Sequence, residues 1–230
     1  MTSTVHCTGA DFCEEISGAV DTSFNRFYQG APPSRRVHST RRFELLADMS
    51  PLTVGHLLLL PRKHYLSFAQ VLVEHPEETE ELLDRVIRIY RETFREPLVM
   101  EHGSSQGQHS HACITHAHLH LLPIDGHAVD ELMTADGLRY QDLSSIHDLA
   151  SAPWPTSAYF LRLYRGTCRV YLPTAGQRRQ YLRSVAGATL SIEDPEWDYA
   201  VVMRKDDLRR TMHMVEHWSA QLSHSTSPGG

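Results

Sequence analysis

The chain has 230 residues, 41% hydrophobic and 22% charged, which excludes a disordered or fibrous protein and is enough to bury a true core. Its 22 basic and 28 acidic residues give a formal charge of −6, and 16 histidines with an ordinary pKa near 6.5 add roughly +4 at pH 7. A balance this close to neutral excludes electrostatic capture of nucleic acid or of an anionic membrane as the main function.

The four cysteines stand at 7, 13, 113 and 168. Scattered through a chain of this size, they are expected as free thiols in a reducing cytosol. Residues 1–11 lack a basic segment followed by an apolar stretch, and the longest aliphatic run is residues 57–60, so a cytoplasmic protein with no signal peptide and no membrane span is expected.

In chain order, residues 43–47 read as a short strand. Turn chemistry in Ser50-Pro51-Leu52-Thr53-Val54-Gly55 follows, and residues 56–60 read as a buried strand stopped by Pro61, which suggests an antiparallel pair. Pro76 sits where a first helical turn would begin. Leu82, Leu83, Val86, Ile87, Tyr90 and Phe94 then recur at helical spacing as far as Pro97. Strands are expected over 98–102 and 112–122, separated by a Gly- and Ser-bearing loop at 103–110 that is placed to face a ligand.

From 125 to about 150 the pattern has no strong period. Ala152-Pro153-Trp154-Pro155 reads as a connector, so a boundary is placed near Ser151, dividing residues 1–150 from an extension over 151–222 and a polar tail over 223–230. In the extension, 159–164 and 169–172 can pair through Arg165-Gly166-Thr167, while 177–188 and 207–222 have helical patterns. The fold class is α+β, an antiparallel sheet with flanking helices plus a C-terminal α/β extension.

The informative segment is His116-Ala117-His118-Leu119-His120-Leu121-Leu122. On a strand, three histidines at period two project from one face while Ala117, Leu119 and Leu121 face the core. Neighbouring histidines then stand roughly 6.7 Å apart, so the outer pair can flank a group attacked by the central one. A neutral imidazole offers a nucleophilic nitrogen, and protonated neighbours donate to phosphoryl oxygens. The same pattern also suits a metal, with a third ligand from His102, His109 or His111, or a merely solvated strand. Spacing alone leaves these readings open.

This segment resembles the His-φ-His-φ-His-φ-φ signature of histidine-triad nucleotide hydrolases and transferases. A second block about fifty residues upstream is similar to the same family: Asp48, Pro51, Gly55-His56, the aliphatic run 57–60, and Pro61-Arg62-Lys63-His64. The resemblance covers about residues 10 to 125 and implies a nucleotide as small-molecule substrate, no cofactor, and a homodimer.

It also implies roles. His118 matches the histidine that attacks the α-phosphorus to form a nucleotidyl-histidine; His116 and His120 match the flanking histidines. Asp48 matches the acid that binds the ribose hydroxyls, although an Asp before Ser-Pro also caps turns. Met49 would line the base pocket, and His56 matches a position beside the site. Glu101-His102-Gly103 stands where the best-known branch has Asn-x-Gly, and Cys113 where it has a serine, at positions that contact phosphate and leaving group in relatives. A carboxylate in place of an amide favours a leaving group bearing an amine or hydroxyl over an anionic one, which tilts the expectation towards a P–N bond.

Many relatives hold a structural zinc through Cys-x-x-Cys and histidines. Here Cys13 matches the second cysteine, but Ala10 stands at the first position and Cys7 lies six residues upstream. Lengthening that chelate loop argues for no metal, with Cys7, Cys13, His64 and His116 as the distorted alternative. The expected activity is hydrolysis of a nucleoside 5′-phosphate–X bond, phosphoramidate or phosphoanhydride, releasing a nucleoside monophosphate such as AMP. Transfer to phosphate or a sugar phosphate, or nucleotide binding without turnover, are the competing readings.

Overall fold

A computed structural model of the chain describes residues 11–106, 115–174 and 176–223. Among them are the strands β1 (Arg36–Ser39), β2 (Phe43–Ala47), β3 (Leu57–Pro61), β4 (Leu98–Gly103), β5 (Leu119–Leu122), β6 (Tyr140–Leu143), β7 (Tyr159–Tyr164) and β8 (Thr167–Tyr171). They form one antiparallel sheet in the spatial order β1-β2-β3-β5-β4-β7-β8-β6. The helices are α1 (Asp11–Ser17), α2 (Ser23–Tyr28), α3 (Phe68–Glu74), α4 (Pro76–Thr93), α5 (Gly126–Ala135), α6 (Tyr181–Thr189), α7 (Lys205–Met214) and α8 (Trp218–Ser223).

The expected antiparallel pair is β2 with β3, in register Leu45 to Leu59. Both strands are buried along their whole length, so β3 reads as an unbroken apolar run and β2 as one interrupted only by Glu44, rather than as alternation. Helix α4 begins with Pro76 at its first turn beside Glu77 and Glu78, and buries Leu82, Leu83, Val86 and Tyr90, as helix-start chemistry and the apolar spacing require.

The two faces of the sheet differ. On one, Leu45, Leu57, Leu59, Val99, Leu119, Leu121 and Leu161 join Phe68, Val71, Leu82, Val86 and Trp218 in a continuous core. Each fully buried Leu or Phe contributes on the order of 2 kcal/mol, so this face anchors the strands. The other face carries two separate apolar patches. Phe12 of α1 packs on Leu46, Leu58 and Leu60; Val129 of α5 and Leu182, Val185 and Ala186 of α6 pack with Leu98, Met100 and Phe160.

Four expectations need correction. Residues 115–118 are irregular, and β5 starts only at Leu119, so the row of histidines is not a regular strand throughout; 112–114 lie outside the described residues. The segment expected to lack a period holds α5, capped by the Asp125 side chain accepting from the His127 N–H, and β6. The boundary placed near Ser151 does not divide the sheet: β7 and β8, from beyond it, bond to β4 and to β6, from before it. The strands expected at 159–164 and 169–172 do pair, through Arg165 and Gly166, both at positive φ. The single helical pattern over 207–222 is broken into α7 and α8, with Leu208, Val215 and Leu222 all buried.

Candidate functional site

Between the two patches lies a cavity of about 700 Å³, open solvent at its mouth included. His118 and His120 line it, with Asp48, Met49 and Leu58 from β2–β3, His102 from β4, Phe12 from α1, Arg35, and Gln180, Arg183 and Tyr199 from the C-terminal region.

Hydrogen bonds fix the imidazole tautomers. His118 Nδ1 lies 2.7 Å from the carbonyl oxygen of His116. A carbonyl only accepts, so Nδ1 carries the proton and, in the neutral ring, Nε2 is bare. Burial is the main cause that lowers the His118 pKa from 6.5, with the His116 carbonyl and Asp48 opposing it, so the neutral ring prevails at pH 7.

Behind it the Leu52 N–H donates to His56 Nδ1 at 3.2 Å, which places the His56 proton on Nε2, 2.9 Å from His120 Nδ1. His120 therefore accepts at Nδ1 and carries its own proton on Nε2. Burial pushes His56 down to about 4 and His120 well below its ordinary value. His56 does not line the cavity; it acts on the site through His120.

Asp48 is almost fully buried. Its Oδ1 accepts from the Ser50 N–H at 2.7 Å and its Oδ2 from Arg183 Nη1 at 3.1 Å, with His56 Nε2 at 3.5 Å. Burial would raise its pKa, but His56, Arg183 and the Ser50 amide together hold it below the ordinary carboxylate value. Arg183 also donates from Nη2 to the Ser50 carbonyl at 2.7 Å and to that of Trp197 at 3.3 Å. Opposite, Arg35 grips Glu15 of α1 through Nε and Nη2, at 2.9 and 2.6 Å, and lies over the rings of Phe12 and Phe24. A bare imidazole nitrogen, an imidazole N–H and two guanidinium groups lining one cavity suit an anionic ligand open to nucleophilic attack.

The third triad histidine is placed elsewhere. His116 Nε2 donates to the Pro61 carbonyl at 2.7 Å, which leaves Nδ1 facing Cys13 Sγ at 3.2 Å; His64 Nδ1 lies 3.4 Å from the same sulfur. His116 is not among the cavity-lining residues. The thiol and two imidazoles fall within 4.8 Å of one another, close to the ~3.5 Å sulfur–nitrogen separation of a tetrahedral zinc site. The Pro61 carbonyl supplies the outer-shell partner that orients a ligating histidine. These residues fit zinc despite the Ala10 substitution, which removes the reason to expect no metal; Cys7 lies outside the described residues. Asp48, His56 and His120 also converge, but the Arg183 guanidinium already neutralises Asp48 and the Leu52 amide occupies His56 Nδ1.

Glu101, expected to contact the ligand, faces the opposite side of the sheet. The alternation of β4 sends Met100 and His102 to the cavity side and Val99 and Glu101 to the other. There Glu101 Oε1 accepts from the Phe68 N–H at 2.7 Å and Oε2 from the Tyr159 hydroxyl at 2.6 Å. Burial raises its pKa to about 8. The argument for a P–N bond drawn from its carboxylate therefore falls. Met49 lines the cavity; Cys113 lies outside the described residues. Sequence reasoning missed Arg35, Phe12, Gln180, Arg183 and Tyr199. The helical pattern around 183 was visible, but an ion pair spanning 135 positions has no local signature.

A family model described as "Scavenger mRNA decapping enzyme C-term binding" matches residues 21–130. The curated "Protein hit" of Bacillus subtilis is 24% identical over 147 residues, 62% of this chain and 92% of that one. Among solved structures, a HIT family member from Bacillus subtilis is 23% identical, with a TM-score of 0.38 over 50% of this chain and 73% of that one. A histidine triad protein from Clostridium difficile is 24% identical, with a TM-score of 0.32 over 49% and 88%. No helix among the described residues is long and apolar enough to cross a membrane. The match over residues 21–130, which contains both sequence blocks, supports a histidine-triad protein.

Proposed function

We propose that the protein hydrolyses a nucleoside 5′-phosphate–X bond with His118 as nucleophile, releasing a nucleoside monophosphate, AMP being the one expected. The observation that carries this reading is the His118 Nδ1–H bond to the His116 carbonyl, which leaves Nε2 bare on a ring that lines the cavity. The Nε2 lone pair attacks phosphorus, an N–P bond forms, and the bond to X breaks with its electron pair, X taking a proton from solvent. Water then attacks phosphorus and loses a proton to solvent; an O–P bond forms as the N–P bond breaks, its electron pair returning to Nε2 and restoring the neutral ring. The His120 Nε2–H donates to a non-bridging oxygen, stabilising charge as it spreads. Asp48, held ionised, accepts from the ribose hydroxyls.

Cys13, His64 and His116 would hold a zinc ion away from the cavity, bracing α1 against the approach to β5; its part there is to fix structure. Purified protein should carry zinc that a Cys13→Ser variant loses, and metal analysis showing none in the parent protein would sink that assignment. For the reaction, rapid quench of the protein with an adenosine 5′-phosphoramidate and with a dinucleoside polyphosphate, followed by mass spectrometry, should find an adenylyl group on His118. Turnover of either substrate undiminished in His118→Asn would refute the proposal. Running the same substrates at high phosphate and finding AMP alone supports water as the acceptor.

A further inference from the structure

The nucleotide reading uses one wall of the cavity; the other comes from the region beyond residue 175, and Gln180 is its odd member. It precedes α6 in the left-handed conformation, φ 57°, which costs a residue with a Cβ on the order of 1 kcal/mol. Glutamine does not commonly adopt it, and a side chain at that helix-start position ordinarily caps the first turn. This one makes no capping hydrogen bond.

Its amide nitrogen donates instead to Asp198 Oδ1 at 3.2 Å. A carboxylate oxygen only accepts, so the amide cannot be turned over, and Oε1 is the end left for the cavity side. Gln180 is 4% exposed, it lines the cavity, and Oε1 has no hydrogen-bond partner among the described residues. A buried acceptor without a donor is costly and calls for one. Gln180 also lies three residues before Arg183, which lines the same cavity and holds Asp48.

We propose that Gln180 Oε1 is a specificity-determining acceptor that takes a hydrogen bond from a donor on the nucleoside part of the ligand, either a ribose hydroxyl or an exocyclic amine of the base. This rests on the nucleotide reading and adds to it a residue from outside the segment that carries the family match. The Arg183–Asp48 pair places the acceptor near the ribose; the amine is the other source of the same chemistry. A site built around a buried acceptor rejects a ligand that lacks the matching donor far more strongly than an apolar wall does.

The test is calorimetric binding of AMP, 2′-deoxy-AMP, 3′-deoxy-AMP and purine riboside 5′-monophosphate to the full chain and to its Gln180→Met and Gln180→Asn variants. Methionine keeps the bulk and removes the acceptor; asparagine tolerates the left-handed backbone and withdraws the acceptor by one methylene. In the parent protein the analogue that lacks the Gln180 donor should bind at least about tenfold more weakly than AMP; because Asp48 also engages the ribose, the analogue whose penalty shrinks in the variants is the one that identifies the donor. That penalty should shrink to within about threefold in both variants, the penalties of the other analogues staying as they were. If Gln180→Met does not show a cooperative thermal transition, Gln180→Asn decides alone. Penalties that are the same in parent and variants overturn the role of Gln180 and leave the nucleotide reading standing, whereas a parent protein that binds none of the four overturns both.

Discussion

The histidines of one short segment serve two different neighbourhoods. His118 and His120 stand in the cavity, neutral and hydrogen-bonded so that one presents a bare nitrogen and the other an N–H. His116, two residues earlier, turns to Cys13 and His64. The difference lies in the backbone: β5 begins at Leu119, and a period of two fixes the face of a side chain only where the chain is a strand. A repeated residue type is thus no guarantee of a repeated role. What joins the two groups is the peptide between them, since the His116 carbonyl sets the His118 tautomer while the His116 ring is engaged elsewhere.

The sharpest way to break this contrast is to remove each ring in turn. His118→Asn should lower turnover by on the order of 10³-fold or more, as loss of a covalent nucleophile does, with AMP affinity changed by only a few-fold. His116→Asn keeps the carbonyl that orients His118, so its loss of turnover should be the smaller by at least tenfold and its main effect a lower melting temperature. Equal losses of turnover in the two variants would place His116 back in the reacting group.

Next in size is Arg183→Ala. Asp48 would be left buried without its guanidinium partner, and removing one member of a buried pair costs about 3–5 kcal/mol. Denaturant unfolding should register that loss, and AMP affinity should fall with it as the Asp48 carboxylate loses its fixed direction. Arg183→Ala with unchanged unfolding would mean that the C-terminal region is not a working wall of the site.

A third test uses pH, and it bears on the cavity side because His56 is pushed down to about 4, mainly by burial. Between pH 4 and its ordinary 6.5 the unfolded chain binds this proton and the folded one does not. Stability must therefore fall as pH drops through that window and be flat in this respect above it. The slope is about 1.4 kcal/mol per pH unit for this histidine. His56→Gln should remove that share. An acid limb of undiminished slope in the variant would show that other groups produce it.

These tests also mark where the sequence was readable. Strand β2, helix α4 and the β7–β8 hairpin rest on local chemistry: apolar spacing, Pro76 at a helix start, an Arg-Gly turn. Asp48 and the triad carry short signatures. The remainder depends on partners far along the chain. Nothing near Arg183 announces Asp48, nothing near Gln180 announces Asp198, and α1 covers the site because Phe12 finds Leu46 and Leu58. Glu101 is the instructive miss, since its neighbour His102 does reach the cavity and one residue of strand register separates a ligand contact from a core contact.

Glu101→Gln accordingly has the smallest expected effect on turnover, within about twofold at pH 7. With a pKa of about 8 the carboxyl is mostly protonated at that pH, so an amide reproduces its charge and shape. The amide oxygen still accepts from the Phe68 N–H, and the amide nitrogen can donate to the Tyr159 oxygen. The difference should emerge in stability as pH rises above the ordinary carboxyl value. A group whose folded pKa is raised stabilises most at low pH, and that contribution is lost as pH rises through the folded value. The parent protein should therefore lose stability between pH 4.5 and 8, and Glu101→Gln should lack that decline. Thermal unfolding across the range would show the two curves diverging toward high pH, whereas parallel curves would mean that the Glu101 carboxyl titrates as an ordinary one and is ionised in the folded protein. A fall in turnover well beyond twofold with the two stabilities equal would instead return Glu101 to the ligand's side of the sheet.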